Sequence, residues 1–206
     1  MAKPGTPPVI GIIGGVASGK SFVAQELKQL GAVVLDGDTL GHEVLRRPEV
    51  IEALRERWGD EVIVAGGRID RSMVASIVFA DSDEGRRELK FLEQLTHPKI
   101  GELLRRQLDE LAAAGQAPVV VLDAAVMLKA GWDGRCDRIV FVDAPREVRL
   151  ARARERGWSA EVFSAREAAQ ESLDAKRELA DVVIDNSASL ELVQAQIEHL
   201  WQSLAG

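Results

Sequence analysis

The sequence predicts an α/β fold, in which a mostly parallel β-sheet carries helices on both faces. Five short apolar runs rich in β-branched residues recur along the chain, and the stretches between them have helical periodicity. Buried parallel strands are continuously apolar rather than alternating, and these runs match that pattern. The runs are Val9–Ile13, Ala32–Leu35, Val119–Leu122, Arg138–Val142 and Asp181–Ile184.

Length and composition limit the possible functions. The 206 residues, 46% of them hydrophobic, are enough for one buried core but not for two comfortable domains. The single cysteine, Cys136, excludes an internal disulfide, and the three scattered histidines do not suggest a structural metal. The sequence has no apolar run near the roughly 20 residues that span a bilayer. With a net charge of -7 and no basic cluster, we expect a cytoplasmic protein without nucleic-acid or membrane partners.

The chain is expected to form a flexible N-terminus, residues 1–8, and one domain, residues 9–206. Two insertions interrupt the strand and helix alternation, and we expect neither to be core. Residues 39–115 have several helical patterns and one doubtful extended piece near Val62–Ile63. Residues 145–180 read as a pair of Arg-rich and Glu-rich helices with a break at Gly157.

A phosphate-binding loop follows the first strand. Gly14-Gly15-Val16-Ala17-Ser18-Gly19-Lys20-Ser21 fits the pattern G-x-x-x-x-G-K-[ST], and a helical run from Phe22 to Leu30 comes next. In such loops the backbone N–H groups surround phosphate oxygens, the lysine bridges the β- and γ-phosphates, and the hydroxyl of Ser21 would ligate Mg²⁺. A chance Gly-rich turn is the alternative, and the order of strand, loop and helix disfavours it.

Asp36 and Asp38 follow the second apolar run. The carboxyl end of that strand should open at the same sheet edge as the phosphate loop, where ligands of such folds bind. Asp38 is therefore placed to orient an acceptor hydroxyl and accept its proton. In the alternative interpretation, both aspartates cap a helix that begins at Thr39.

Asp123 ends the strand that begins at Val119. A carboxylate at this place is expected to hold Mg²⁺ directly or through water, and an ordinary strand-end aspartate is the alternative.

A row of arginines follows Pro145. Arg149, Arg152 and Arg156 have the spacing i, i+3, i+7 of one helical face. Such a row is suited to close over a triphosphate and to neutralise the charge that spreads during transfer. The alternative is a solvated helix whose arginines pair with Glu147 and Glu155.

These features together resemble the dephospho-coenzyme A kinase family, from Val9 to about Leu200. The segments that carry the resemblance are IGIIGGVASGKS, LGAVVLDGD, GGRIDRSMVASIVFAD, LEQLTHPKI and ADVVIDN. GGRIDR, VF and THPKI have no general phosphate-binding role, so they separate this family from adenylate, shikimate and gluconate kinases.

The resemblance implies a P-loop fold like that of the nucleoside-monophosphate kinases, with a five-stranded sheet, a helical acceptor-binding insertion (39–115) and a lid (145–180). It implies transfer from ATP, with Mg²⁺, to the ribose 3′-hydroxyl of dephospho-coenzyme A. The residues from Gly14 to Phe22 and Asn186 would bind ATP. Lys20, Asp38, Arg152 and Arg156 would be catalytic, and Asp38, Arg71 and His97 would contact the acceptor. Ser21 and Asp123 would hold the metal, and the enzyme would act as a monomer or a weak homo-oligomer.

Other interpretations of the last residues stay open. His97-Pro98 could mark the end of a helix, Arg71 could form a surface ion pair, and Asn186 could be a turn residue. The chain also departs from the family pattern at Ala17, where a glycine is usual, and at Ala125-Val126-Met127-Leu128-Lys129, where Pro-Leu-Leu-Phe-Glu is usual.

These departures keep rival functions open. Lys129 favours a kinase of the same fold with another acceptor. A weak paralogue that only binds ATP is disfavoured because Lys20, Asp38 and Asp123 are all present, and a GTPase is disfavoured because no Asn-Lys-x-Asp motif occurs.

Overall fold

The computed structural model describes residues 6–115, 117–187 and 189–205. Their elements, in chain order, are β1 (Val9–Gly14), α1 (Lys20–Gln29), β2 (Val33–Asp36), α2 (Gly37–Val44), α3 (Pro48–Trp58), β3 (Ile63–Val64), β4 (Arg68–Ile69), α4 (Arg71–Val78), α5 (Asp83–Ala114), β5 (Val120–Asp123), β6 (Arg138–Asp143), α6 (Arg146–Glu155), α7 (Ala160–Ala168), α8 (Leu173–Glu178), β7 (Val182–Asp185) and α9 (Leu190–Ala205).

The chain divides into two compact units. The first contains the described residues up to Asp36 and those from Leu108 onward, and the second is Gly37–Gln107. The first unit is built on a five-stranded sheet of order β2-β5-β1-β6-β7, and every neighbouring pair in it is parallel. The predicted α/β fold with a five-stranded parallel sheet is therefore confirmed.

The five strands coincide with the five apolar runs to within one residue at each end. Their side chains and those of α1 and α9 form one buried cluster, which includes Ile12, Leu27, Val121 and Ile197. The strands lie inside the fold because their runs of branched apolar side chains leave no face suited to water. The predicted flexible N-terminus lies mostly outside the described residues. Within the described part, the carbonyl of Pro8 accepts a 2.8 Å hydrogen bond from the N–H of Val120.

The residues from Pro145 to Leu179 form three helices rather than the predicted pair. After the break at Gly157, where φ is 79°, α7 begins at the cap Ser159 and α8 begins at the cap Ser172. The separate α8 was missed because it is only six residues long.

The expectation that this segment is not core was wrong. Phe163 and Ala153 are fully buried and pack with Val16 and Ala17 of the phosphate loop, and Leu150 and Trp158 lie against them. The segment therefore has a small core of its own, and two loop residues belong to it.

The second unit is mostly helical. A two-stranded antiparallel hairpin, β3 with β4, lies where the doubtful extended piece was noted. Glu88 of α5, which is 7% exposed, accepts hydrogen bonds from Arg57 at 2.6 and 2.9 Å and from the indole of Trp58 at 2.7 Å. A buried carboxylate is stable only when its oxygens are paired, and these bonds pair both oxygens of Glu88. They also join the end of α3 to α5.

Candidate active site

The phosphate loop joins β1 to α1 with two unusual backbone conformations. Gly19 caps α1 with a φ of 98°, and a Cβ at this position would lie 2.0 Å from Nδ2 of Asn186, so only glycine fits. Ala17, which stands where the family has glycine, has a φ of 57°. The sequence analysis singled out this residue as a departure, and the structure shows that its backbone is in the left-handed region.

Four carbonyl oxygens of the loop accept hydrogen bonds from cationic or amide side chains. Nζ of Lys20 donates to the carbonyls of Gly14 at 3.2 Å and of Gly15 at 3.0 Å. The carbonyl of Val16 accepts a long 3.5 Å bond from Arg149, and that of Ser18 accepts bonds from Arg152 at 3.1 Å and Asn186 at 2.7 Å. With its negative dipole ends paired in this way, the loop is suited to bind an anion through its N–H groups.

Lys20 is a half-buried cation among other cations. Burial is the main cause that lowers its pKa to about 8, and the charges of Lys176, Arg149 and Arg156 lower it further, whereas Asp123 raises it. The hydroxyl of Ser18, which is 1% exposed, has no hydrogen-bond partner among the described residues. Excess positive charge and an unpaired buried hydroxyl both fit the binding of a phosphate chain.

Arg152 holds the loop from α6, and Asn186 holds it from the end of β7. Besides its bond to Ser18, Arg152 donates to the carbonyl of Asn186 at 2.9 Å, and the N–H of Asn186 donates to the carbonyl of Asp143 at 2.8 Å. The turn-residue interpretation of Asn186 is therefore incomplete, because its buried side chain contacts the phosphate loop directly. The structure brings these two predicted site residues together.

The three arginines of the predicted row have different surroundings. Arg149 is 2% exposed and forms an ion pair with Glu167 at 2.7 Å, Arg152 is half-buried, and Arg156 is exposed at the end of α6. Burial works to raise the pKa of Glu167, but the hydrogen bonds and charges of Arg149 and Arg146 outweigh it, and the net pKa is lowered. The alternative pairing with Glu147 and Glu155 does not describe Arg149 or Arg152.

Oxygen donors suited to a metal lie near the loop. Ser21 is exposed in the first turn of α1, and Asp123 is half-buried at the end of β5, next to Asp36 in the strand register. A hydroxyl and a carboxylate are hard oxygen donors, which Mg²⁺ prefers when phosphates and waters complete its shell. Among the described residues no group of three or more His, Cys, Asp or Glu could hold a metal by itself.

The predicted acceptor residues lie in the second unit. Asp38 is exposed in the first turn of α2, and Arg71 begins α4, where it is hydrogen-bonded to His42. A cavity of about 540 Å³ opens beside Arg71 and His42. His97 does not line this cavity, and α5 continues through His97-Pro98, so the interpretation as a helix end was wrong.

Sequence reasoning gave no site role to Arg149, Glu167, Gln170 or Lys176. Arg149 was only a member of a row, Glu167 and Lys176 lie on polar helices, and Gln170 lies between those helices, with nothing in the spacing to set them apart. Their burial depends on how α7 and α8 pack on the loop. The signal that could have pointed to them is Phe163, a large apolar residue in a segment rich in charged residues.

The first strand of the parallel sheet ends in this loop, Lys20 follows the loop at the start of α1, and two arginines of α6 contact the loop carbonyls. This arrangement defines a P-loop kinase. The sequence model of the dephospho-CoA kinase family matches residues 8–191. A protein of Symbiobacterium thermophilum named dephospho-CoA kinase is 39% identical over 201 residues, which cover 96% of this chain and 82% of that protein. The chain therefore belongs to the dephospho-CoA kinase family, whose members are phosphotransferases with an alcohol acceptor.

Solved structures share this fold. The crystal structure of TT1252 from Thermus thermophilus has a TM-score of 0.80 and 37% identity, and it covers 98% of this chain and 100% of its own. Dephospho-CoA kinase from Campylobacter jejuni has a TM-score of 0.66 at 21% identity, covering 96% of this chain and 97% of its own, which shows the shared fold. Within the described residues, no helix has the length and apolar character needed to cross a membrane.

Proposed function

We propose that the enzyme transfers the γ-phosphoryl group of ATP to the ribose 3′-hydroxyl of dephospho-coenzyme A, giving coenzyme A and ADP. The observation that carries this proposal is the family match over residues 8–191, since it includes both the phosphate loop and the acceptor-side segments GGRIDR and THPKI. This reaction is the last step of coenzyme A biosynthesis.

On the donor side, residues from Gly14 to Phe22 hold ATP, and Asn186 contributes by fixing the loop. Lys20 leaves the carbonyls of Gly14 and Gly15 and bridges the β- and γ-phosphates. Ser21 and Asp123 would hold Mg²⁺, which would neutralise negative charge on the phosphates. Arg152, which already contacts the loop, stabilises the charge of the transferring group.

Arg156 is the second lid cation of the proposal. It is exposed in the structure, and its charge acts on Lys20. Arg152→Ala and Arg156→Ala separate the two roles, because an arginine that meets the transferring group contributes roughly 10³ or more to the rate in related chemistry. Unchanged turnover in both variants argues for a surface role instead.

On the acceptor side, Asp38 orients the hydroxyl and takes its proton, and Arg71 and His97 contact the remainder of the acceptor. The support for Arg71 is its position beside a cavity of about 540 Å³, which is large enough for part of the acceptor molecule. Asp38→Asn should bind ATP nearly as well as the wild type and turn over far more slowly, and wild-type turnover by this variant overturns the base assignment.

The experiment that tests the function is ADP release by the purified enzyme with Mg-ATP and dephospho-coenzyme A. Adenosine monophosphate and shikimate serve as control acceptors, and Lys20→Ala serves as the inactive control. Release that depends on dephospho-coenzyme A alone supports the proposal and shows that Lys129 is tolerated. Release with another acceptor, or no release despite ATP binding, overturns it.

We also propose a cytoplasmic enzyme that acts as a monomer or a weak homo-oligomer. The lone thiol supports a reducing compartment, since Cys136 is the single cysteine of the sequence and cannot form an internal disulfide. Sedimentation velocity over a concentration series distinguishes a monomer from a stable oligomer.

A further inference from the structure

Lys176 is a buried cation without a carboxylate partner. It lies in α8 with 5% of its surface exposed, and its Nζ donates a 2.9 Å hydrogen bond to Oε1 of Gln170. Gln170 is neutral, and no carboxylate among the described residues forms an ion pair with Lys176. Lysine is almost never buried unless it is paired, because removing an ammonium from water is costly.

The surroundings of Lys176 contain two cations, Lys20 and Arg149, and one carboxylate, Glu171. Lys176 and Lys20 line the same small cavity, and Glu171, Gly14 of the loop and Ala124 after β5 line it too. Burial lowers the pKa of Lys176, and Arg149 lowers it further, whereas Glu171 raises it. The charges of Lys20 and Lys176 repel each other, and a polyanion beside both ammonium groups would remove that repulsion.

The position of the cavity indicates which part of the nucleotide would meet Lys176. One wall is Lys20, which in this motif reaches the β- and γ-phosphates. Another wall is the chain that follows Asp123, the residue that would help to hold Mg²⁺ beside the phosphates. Lys176 lines the same cavity as Lys20 and the residues after Asp123, so the terminal phosphate of a bound nucleotide would be the anion nearest to it.

We propose that Lys176, oriented by Gln170, is a second lysine of the active site and contacts the γ-phosphate of ATP. This inference rests on the proposed function insofar as ATP is the donor. It assigns to α8 a direct part in recognising the triphosphate, and to Gln170 a positioning role.

The test compares binding of Mg-ATP and Mg-ADP by calorimetry, without any acceptor. A hydrogen bond to a charged group corresponds to roughly 10- to 100-fold in affinity. Lys176→Met should therefore weaken Mg-ATP binding by about that factor and leave Mg-ADP binding within about threefold of the wild type. Lys176→Arg, which keeps the charge, should retain most of the ATP affinity. Lys28→Met makes the same chemical change at an exposed lysine of α1 and should alter neither affinity.

Thermal unfolding separates this role from a purely structural one. Removing a buried unpaired charge should leave the midpoint of Lys176→Met unchanged or raise it, whereas a lysine needed only for packing would lower it. Equal weakening of ATP and ADP, or no weakening of either, overturns the proposal. If Lys176→Met does not fold, Lys176→Gln carries the same comparison. The two proposals can fail separately. If the wild-type enzyme does not use dephospho-coenzyme A but Lys176→Met still loses affinity for ATP alone, the acceptor assignment is overturned and the role of Lys176 is supported.

Discussion

Replacing Ala17 by glycine tests the left-handed backbone in the phosphate loop. Ala17 has a φ of 57° and is 8% exposed. An L-residue in this region is strained by roughly 1–2 kcal/mol, and glycine removes that strain. Against this gain, the variant loses a buried methyl group, about 0.8 kcal/mol, and about 0.5–1 kcal/mol of chain entropy. The two sides nearly cancel, so we expect a free energy of unfolding within about 1 kcal/mol of the wild type.

The matched control is Ala24→Gly in α1. Ala24 is 4% exposed, so the same methyl group is removed from a buried site, but a helical backbone has no strain to relieve. Glycine inside a helix is unfavourable by about 1 kcal/mol, and the lost methyl adds about 0.8 kcal/mol. Ala24→Gly should therefore be less stable than Ala17→Gly by roughly 1–2 kcal/mol.

Urea unfolding followed by circular dichroism measures both free energies. A calorimetric titration with Mg-ATP should show that Ala17→Gly still binds the nucleotide, since the loop carbonyls and Lys20 are unchanged. If Ala17→Gly is destabilised as much as Ala24→Gly, then the positive φ is not a source of strain and the reasoning is refuted.

Three further predictions concern the same unit. Gly19→Ala should displace Asn186, and adding Asn186→Ala should make the double variant less destabilised, by thermal unfolding, than the sum of the single changes. Arg149→Met should lower stability by about 3 kcal/mol, because it leaves the carboxylate of Glu167 without its main partner, and urea unfolding should show part of the loss recovered by Glu167→Gln. The pKa of Lys20, lowered to about 8 from 10.5, means that between these values the unfolded chain binds a proton that the folded chain does not. The contribution of Lys20 to the free energy of unfolding therefore rises with pH in that window, and a pH series of urea unfolding should show a smaller rise in Lys20→Met; equal rises would contradict the assignment.

The strands and the phosphate loop were predictable because their determinants are local. A continuously apolar run such as Val119–Leu122 is removed from water only as a strand that is buried on both faces of the sheet. The spacing from Gly14 to Ser21 determines both the turn of the loop and the start of α1. The family segments likewise lie in continuous stretches, which made the class of kinase readable before any contact was known.

The sequence could not distinguish Arg149, Arg152 and Arg156. All three share one helical face by spacing, but the structure buries the first, places the second on the carbonyls of Ser18 and Asn186, and leaves the third exposed. Their different roles arise from packing between segments far apart in the chain, which helical periodicity does not encode.

By itself, the sequence determined the sheet, the phosphate loop and the family. Only the tertiary structure decided that Val16 and Ala17 share a small core with Phe163, and that Lys176 is buried beside Lys20. The physical reason is that a charged side chain on a polar helix has no preference for one burial or another until its neighbours are fixed, whereas an apolar strand or a glycine with a positive φ carries its constraint in its own chemistry.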